Sequence, residues 1–164
     1  MIKFTINTVN TTSDKFNNLL RKLNNLHDFL SAIGDAVLTH TQLSFDSEQD
    51  PYGNKWQPLS ETTKSLRRGN SYQILRDTAV LMSSFSKQEP SKNSIVVGTP
   101  IIYSTTHQYG AKKGAYGSYT TKNGHTVSIP WGDVPARPML PDTNRGWPVA
   151  LEENVIKLFY QHIL

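Results

Sequence analysis

The chain has 164 residues, 37% of them apolar and 18% charged, which is enough for one domain with a sizeable core and unlike the composition of a disordered chain. It contains no cysteine, so disulfides and Cys-based zinc sites are excluded. The formal charge is +4, from 17 basic and 13 acidic residues, and the nearest things to basic runs, Leu66-Arg67-Arg68 and Lys112-Lys113, fall short of the concentrated basic face of a dedicated nucleic-acid binder. No apolar run approaches the roughly 18 residues needed to span a bilayer, and no membrane partner is expected. Met1-Ile2-Lys3-Phe4-Thr5-Ile6 lacks the long apolar stretch and small-residue cleavage site of a secretory signal.

Residues 2–9 alternate in part, Ile2, Phe4 and Ile6 against Lys3 and Thr5, and read as a first strand. Thr11, Thr12 and Ser13 offer helix caps, and Asp14 suits the positive end of a helix dipole. A helix is predicted from about 13 to 43. Its apolar residues Phe16, Leu19, Leu23, Leu26, Leu30, Ile33 and Val37 are spaced alternately by three and four, with His40 at the next seam position. Such a heptad seam has two readings. The helix lies across its own sheet, or part of the seam, with Leu23, Leu30 and Val37, packs against a neighbouring subunit.

Residues 46–60 are polar and turn-rich. Asp50-Pro51-Tyr52-Gly53-Asn54 reads as a tight turn, and Trp56 beyond it is expected to plug back into the core, because its apolar body is costly to leave in water. Ser60-Glu61-Thr62-Thr63 caps a short helix through about 68. A second covers 77–86, with Asp77 or Thr78 as cap and Val80, Leu81 and Phe85 facing inward. Ser94-Ile95-Val96-Val97-Gly98 reads as a buried strand, and a short helix is placed near Tyr103–Gln108.

Residues 110–123 form a flexible arm or long hairpin, with Gly110, Gly114 and Gly117 among Tyr109, Tyr116, Tyr119, Lys112 and Lys113. The arm is either a disordered surface loop or a segment that orders on assembly. In the second case Tyr116 and Tyr119 are anchors, and Lys112 and Lys113 meet acidic surfaces or passing DNA. Asn123-Gly124 is a hairpin turn signal before the alternating Thr126-Val127-Ser128-Ile129. Residues 130–141 are too rich in proline for a central strand. Pro148 opens a final helix with Leu151, Val155, Leu158, Phe159 and His162 on one face. The expected fold is α+β, a single domain over 1–164: one antiparallel β-sheet, a long N-terminal helix packed across it, short helices in the middle and a C-terminal helix.

Chemical constellations are weak. His27, His40, His107, His125 and His162 are scattered and match no metal-binding spacing. There is no Gly-x-Ser-x-Gly nucleophile elbow and no phosphate-cradling glycine loop before a helix. Glu152 and Glu153 are adjacent on a helix and point in different directions. No catalytic residue, cofactor or metal is expected, and the chain is not expected to be an enzyme. His107 has two readings: a general base, or a histidine whose ring nitrogens bond the backbone of a tight loop turned by Gly110. Pro135-Ala136-Arg137-Pro138-Met139-Leu140-Pro141 is stiffened by its prolines, with the planar fork of Arg137 between them. It is either an internal clamp, with Arg137 pairing a carboxylate or a helix C-terminus, or an edge offered to the next subunit. Met139 and Leu140 anchor it in both cases.

Five segments in order resemble the Mu-type (protein G-like) tail completion family of phage virion morphogenesis proteins. Asp50-Pro51-Tyr52-Gly53-Asn54-Lys55-Trp56-Gln57-Pro58-Leu59 looks like its Asp-Pro-x-Gly-x-x-Trp-x-x-Leu segment, and Leu75-Arg76-Asp77-Thr78-Ala79-Val80-Leu81 its Leu-x-Asp-Thr-Gly-x-Leu stretch. Val97-Gly98-Thr99 leads into Tyr103 as in that family. His107-Gln108-Tyr109-Gly110 is similar to its His-Gln-Phe-Gly, and Val134-Pro135-Ala136-Arg137-Pro138-Met139-Leu140 to its Ile-Pro-Ala-Arg-Pro-Phe-Leu. Ala79 stands where glycine is usual, Tyr109 and Met139 replace phenylalanine, and Pro141 replaces a glycine. The resemblance marks Trp56, Asp77, His107, Gln108, Gly110, Pro135, Arg137 and Pro138 as structural motif residues.

It implies a structural assembly protein of a tailed phage or prophage, made in the bacterial host cytoplasm and carried in the tail or neck of the virion. Its role there would be tail completion and head-to-tail joining. The implied partners are other copies of itself in a ring, and tail terminator, tube or head-connector proteins, with DNA met only incidentally. A ring needs two different complementary faces on each subunit. The helix seam and the Pro135–Pro141 segment are the expected ones, with Arg137 among the interface residues. The alternative function is a nucleic-acid-binding module acting through Arg67, Arg68, Lys112 and Lys113.

Overall fold

The computed structural model describes residues 11–24, 26–68 and 72–163. The strand expected over 2–9 lies outside them, as does the side chain of Leu23. The single long N-terminal helix is instead two helices, α1 (Thr11–Asn24) and α2 (His27–Ser47). The break falls between Asn24 and His27. Helix α2 then runs past the expected end and stops at Glu48, which adopts a left-handed conformation with φ 53°.

Among the described residues the expected single sheet is likewise two separate antiparallel pairs. The first joins β1 (Ser86–Ser91) to β2 (Ser94–Gly98), in the register Ser86 to Gly98 and Gln88 to Val96. The second joins β3 (Ser118–Thr120) to β4 (Thr126–Ser128) across the Asn123-Gly124 turn. Each is too small to bury a face alone, so the core comes from elements laid around them.

Helix α2 is the organiser. It packs on β1 and β2 and on α6 (Val149–Ile163), the helix opened by Pro148. Gly34 sits where α2 crosses the hairpin: a Cβ there would lie 2.8 Å from Ile95 Cγ2, so the close approach offsets the helix cost of glycine, about 1 kcal/mol. At the same crossing Lys87 Nζ donates to Asp35 and to the Ser31 hydroxyl. Phe29 meets Phe159 edge-on and stacks on His162, whose ring donates to the Lys22 carbonyl at 3.2 Å, tying α1 to the end of α6. Leu30 and Val37 are half-buried on α2, whereas Phe16 and Leu20 on α1 are exposed.

The main core is built around the C-terminal end of α2. Phe45, Trp56, Leu59, Ile74, Leu81 and Met139 are buried together, with Met82, Phe85 and Ile101 against them. Three short helices surround it: α3 (Glu61–Ser65), capped by the Ser60 hydroxyl as expected, α4 (Val80–Ser83) and α5 (Ser104–Tyr109). The helix expected over 77–86 is only α4, and β1 begins at Ser86. Neither Asp77 nor Thr78 caps α4. Its N-cap is Ala79, in the left-handed region at φ 56°, and Val80 is exposed rather than inward.

Ala79 therefore occupies a conformation that glycine takes freely, at the position where the resembled pattern carries glycine. The left-handed region costs an L-residue about 1–2 kcal/mol, and glycine returns part of that gain through its freer unfolded chain. Ala79→Gly is expected to stabilise the protein by about 0.5–1 kcal/mol, read as a rise of about 2–3 °C in thermal denaturation.

Candidate functional site

The motif segments converge on residues 134–141, an extended rod held on both sides. On one side, Trp56 Nε1 donates to the Pro138 carbonyl at 2.9 Å, Arg137 Nε donates to the Gln57 carbonyl at 2.9 Å, and Arg137 Nη2 to that of Pro58 at 3.1 Å. On the other, the Arg137 N–H donates to the His107 carbonyl, and Ala111 and Val134 exchange both backbone bonds. Gln108 acts as a side-chain strand. Its Oε1 accepts from Met139 and Leu140 N–H, and its Nε2 donates to the Leu140 carbonyl at 2.8 Å.

The flanking turns are equally tied. Asp50 accepts from the backbone N–H groups of Tyr52 and Asn54 and from the Asn54 amide. The Tyr52 hydroxyl donates to the Gly146 carbonyl at 2.7 Å and accepts from Asp142 N–H, and Arg145 lies 3.7 Å over its ring. Glu48 accepts from Ile74 N–H, and Arg76 pairs with Asp46, fixing residues 74–76 to the end of α2.

Arg137 is thus an internal clamp, 6% exposed. Its side-chain acceptors are two loop carbonyls, neither the carboxylate nor the helix C-terminus expected, and its guanidinium does not reach an outer face. The ring of His107 also differs from expectation. Nδ1 is buried with no hydrogen-bond partner, and it is the residue's carbonyl that serves the loop. Burial, then the Arg137 charge, holds His107 below its ordinary value of about 6.5, so the ring is neutral at pH 7. It meets Tyr103 edge-on.

A cleft of about 800 Å³ opens beside this clamp, between residues 57–63, Asp77–Leu81, Tyr103, His107 and 130–137. Arg67, which sequence reasoning offered only as a surface DNA contact, lines it with a side chain 8% exposed. Asp77, 40% exposed, lies 3.9 Å from Arg67 Nη1. Pro135 lines the same cleft, and Pro138 is half-buried in the rod.

The arm at 110–123 is a ribbon within the chain. The Lys113 N–H and then Lys112 Nζ donate to the Asp133 carboxylate and hold it below its ordinary value. The Tyr116 hydroxyl bonds Thr106, and Tyr119 pairs with Val127; both rings are more than half exposed. Among the described residues no group of three or more His, Asp or Glu is arranged to hold a metal ion. Nor is any described helix long and apolar enough to cross a membrane.

The family model for phage virion morphogenesis proteins matches residues 8–162. The chain belongs to the phage virion morphogenesis family. It is a structural or assembly protein of a phage. No match was found among curated proteins or among solved structures.

The signals for Tyr52, Glu48 and Arg67 as scaffold or cleft residues were faint. Tyr52 sits inside a recognised turn, but its partners Asp142 and Gly146 are some 90 residues away in sequence. Glu48 and Arg67 lie in segments with no apolar period to mark a buried side.

Proposed function

We propose that this family member acts in tail completion and head-to-tail joining at the neck, as one of a ring of identical copies and as a structural part rather than a catalyst. The observation that carries the reading is where the motif residues lie. Trp56, Gln108 and Arg137 spend their polar atoms on backbone groups of their own chain, which suits a scaffold that presents other surfaces to neighbours.

Those other surfaces are rich in apolar side chains. Ile102 is 93% exposed, Leu66 73%, Tyr109 72%, Val149 71% and Trp131 62%. Large apolar groups at this exposure, when contiguous, mark protein–protein contact surfaces. Leu30 and Val37, half-buried between α2 and its neighbours, contribute less area than these. Tyr116 and Tyr119 remain available as anchors on the ribbon.

Light scattering on the purified chain over a concentration series is the test, followed by pull-down with tail-tube, tail-terminator and head-connector proteins. A discrete multiple of the chain mass, or a monomer that binds one of those partners, is the expected result. A monomer at every concentration that binds none of them would overturn the proposal. The nucleic-acid alternative is weakened by the burial of Arg67 and the pairing of Lys112 with Asp133. Retarded DNA mobility at low salt, lost on replacing Arg68 and Lys113, would revive it.

A further inference from the structure

Two guanidinium groups are buried around the cleft with too few negative partners. Among the described residues Arg67 Nη1 makes no hydrogen bond, and its ion pair with Asp77 Oδ1 is long, at 3.9 Å, outside hydrogen-bond reach. Arg137 spends its Nε and Nη2 donors on neutral carbonyls, and among the described residues it forms no ion pair. A buried guanidinium with only a distant counter-charge, as at Arg67, or with none among the described residues, as at Arg137, is costly, and each of these groups also feels the next one's field. After burial itself, the Arg67 charge lowers Arg137, and the Arg137 charge lowers His107. Asp133 also lines the cleft, but its carboxylate is engaged by Lys112 and Lys113.

We propose that this cleft binds a carboxylate side chain presented by an extended acidic peptide segment of a partner protein. Arginine's planar fork matches a carboxylate, and Arg67 has a donor already desolvated and unspent. The walls suit a peptide: Val80, Pro130 and Trp131 supply an apolar rim along which the stem of a glutamate can lie. They do not suit a nucleic acid, whose phosphates lie along an exposed backbone and cannot reach arginines more than nine-tenths buried. Such a site would exist in the isolated chain whatever the protein's station in the virion.

The test titrates the full-length, isotope-labelled chain with a blocked five-residue peptide carrying one central glutamate, with its glutamine counterpart, and with inorganic phosphate. The Trp131 indole and Arg137 Nε–H resonances report binding. Saturable shifts with the glutamate peptide are expected, at least about tenfold weaker with the other two probes. Arg67→Gln should abolish saturation without lowering the melting temperature, since it removes a buried charge whose one ion pair, to Asp77 at 3.9 Å, is long. If Arg67→Gln fails to fold, Arg67→Lys, which keeps the charge and loses the fork, must weaken binding several-fold. Equal affinity for the glutamine peptide, tighter binding of phosphate, binding unaltered by the Arg67 variant, or no saturable shift at about 10 mM peptide would each overturn the site.

Discussion

Trp56→Ala should lower stability by about 4 kcal/mol or more, enough to move the melting temperature down by about 10 °C or to leave the chain unfolded at growth temperature. Two effects combine. The indole is 5% exposed and meets Phe45, itself fully buried, edge-on at 5.5 Å, so truncation opens a cavity against the centre of the core. Deletions of this size typically cost about 3–5 kcal/mol. The Pro138 carbonyl then loses the Nε1 donor at 2.9 Å, and a part-buried acceptor left without a partner adds about 1 kcal/mol. Calorimetry on three variants separates the effects. Trp56→Phe keeps most of the packing and should lose about 1–2 kcal/mol. Trp147→Ala, at a residue 49% exposed, should change stability by no more than about 0.5 kcal/mol. Equal losses at Trp56 and Trp147 would contradict the core as described.

What the sequence made legible were features with a strong local signal. The Ser60 cap, the Asn123-Gly124 hairpin turn and the proline opening α6 all appear where expected, because each is decided by a few neighbouring residues. Trp56 was legible for a different reason: a large apolar body in a polar loop has few places to go except the core. The failures share a physical cause as well. The strand β1 reads Ser-Lys-Gln-Glu-Pro-Ser, with no apolar alternation and a proline, and it exists because β2 and α2 give it a partner and a surface. The seam from Phe16 to Val37 keeps its period across Asn24-Asn25, so periodicity alone could not show the break.

The clamp was half legible. Its residues stood out by their resemblance to the family pattern, yet their chemistry was assigned wrongly in detail. Arg137 was expected to seek a carboxylate or a helix end, and it seeks carbonyls, which every residue carries and which leave no mark in a sequence. The ring of His107 was expected to bond the loop, and its backbone does so instead. Arg67 read as part of a basic surface run, although its side chain lines the cleft, paired with Asp77 at 3.9 Å. Burial of a charged residue is decided by tertiary packing, and no local pattern around Leu66-Arg67-Arg68 encodes it.

Gly110→Ala tests whether the rod and the α5 turn are one mechanical unit. Gly110 has φ 75° and ψ 171°, a backbone region almost closed to other residues, so a side chain costs about 1–3 kcal/mol in strain alone. A Cβ there would also lie 2.9 Å from both Ala136 N and the Val134 carbonyl oxygen. Both are backbone atoms of the rod, and they cannot yield as the tip of a flexible side chain would. The loss is expected to be about 3 kcal/mol or more, and the displaced rod should weaken the paired Ala111 and Val134 bonds and the Arg137 N–H bond to His107. Gly117→Ala is the comparison: φ is 92°, but nothing lies within 4 Å of the added Cβ, so only the strain of about 1–2 kcal/mol should appear. Thermal denaturation gives the two losses, and amide hydrogen exchange at Ala111 and Val134 gives the local effect. Faster exchange at those amides in Gly110→Ala and not in Gly117→Ala is the expected pattern. If the two variants behave alike, strain at the turn is the whole effect, and the rod does not depend on the close approach at Gly110.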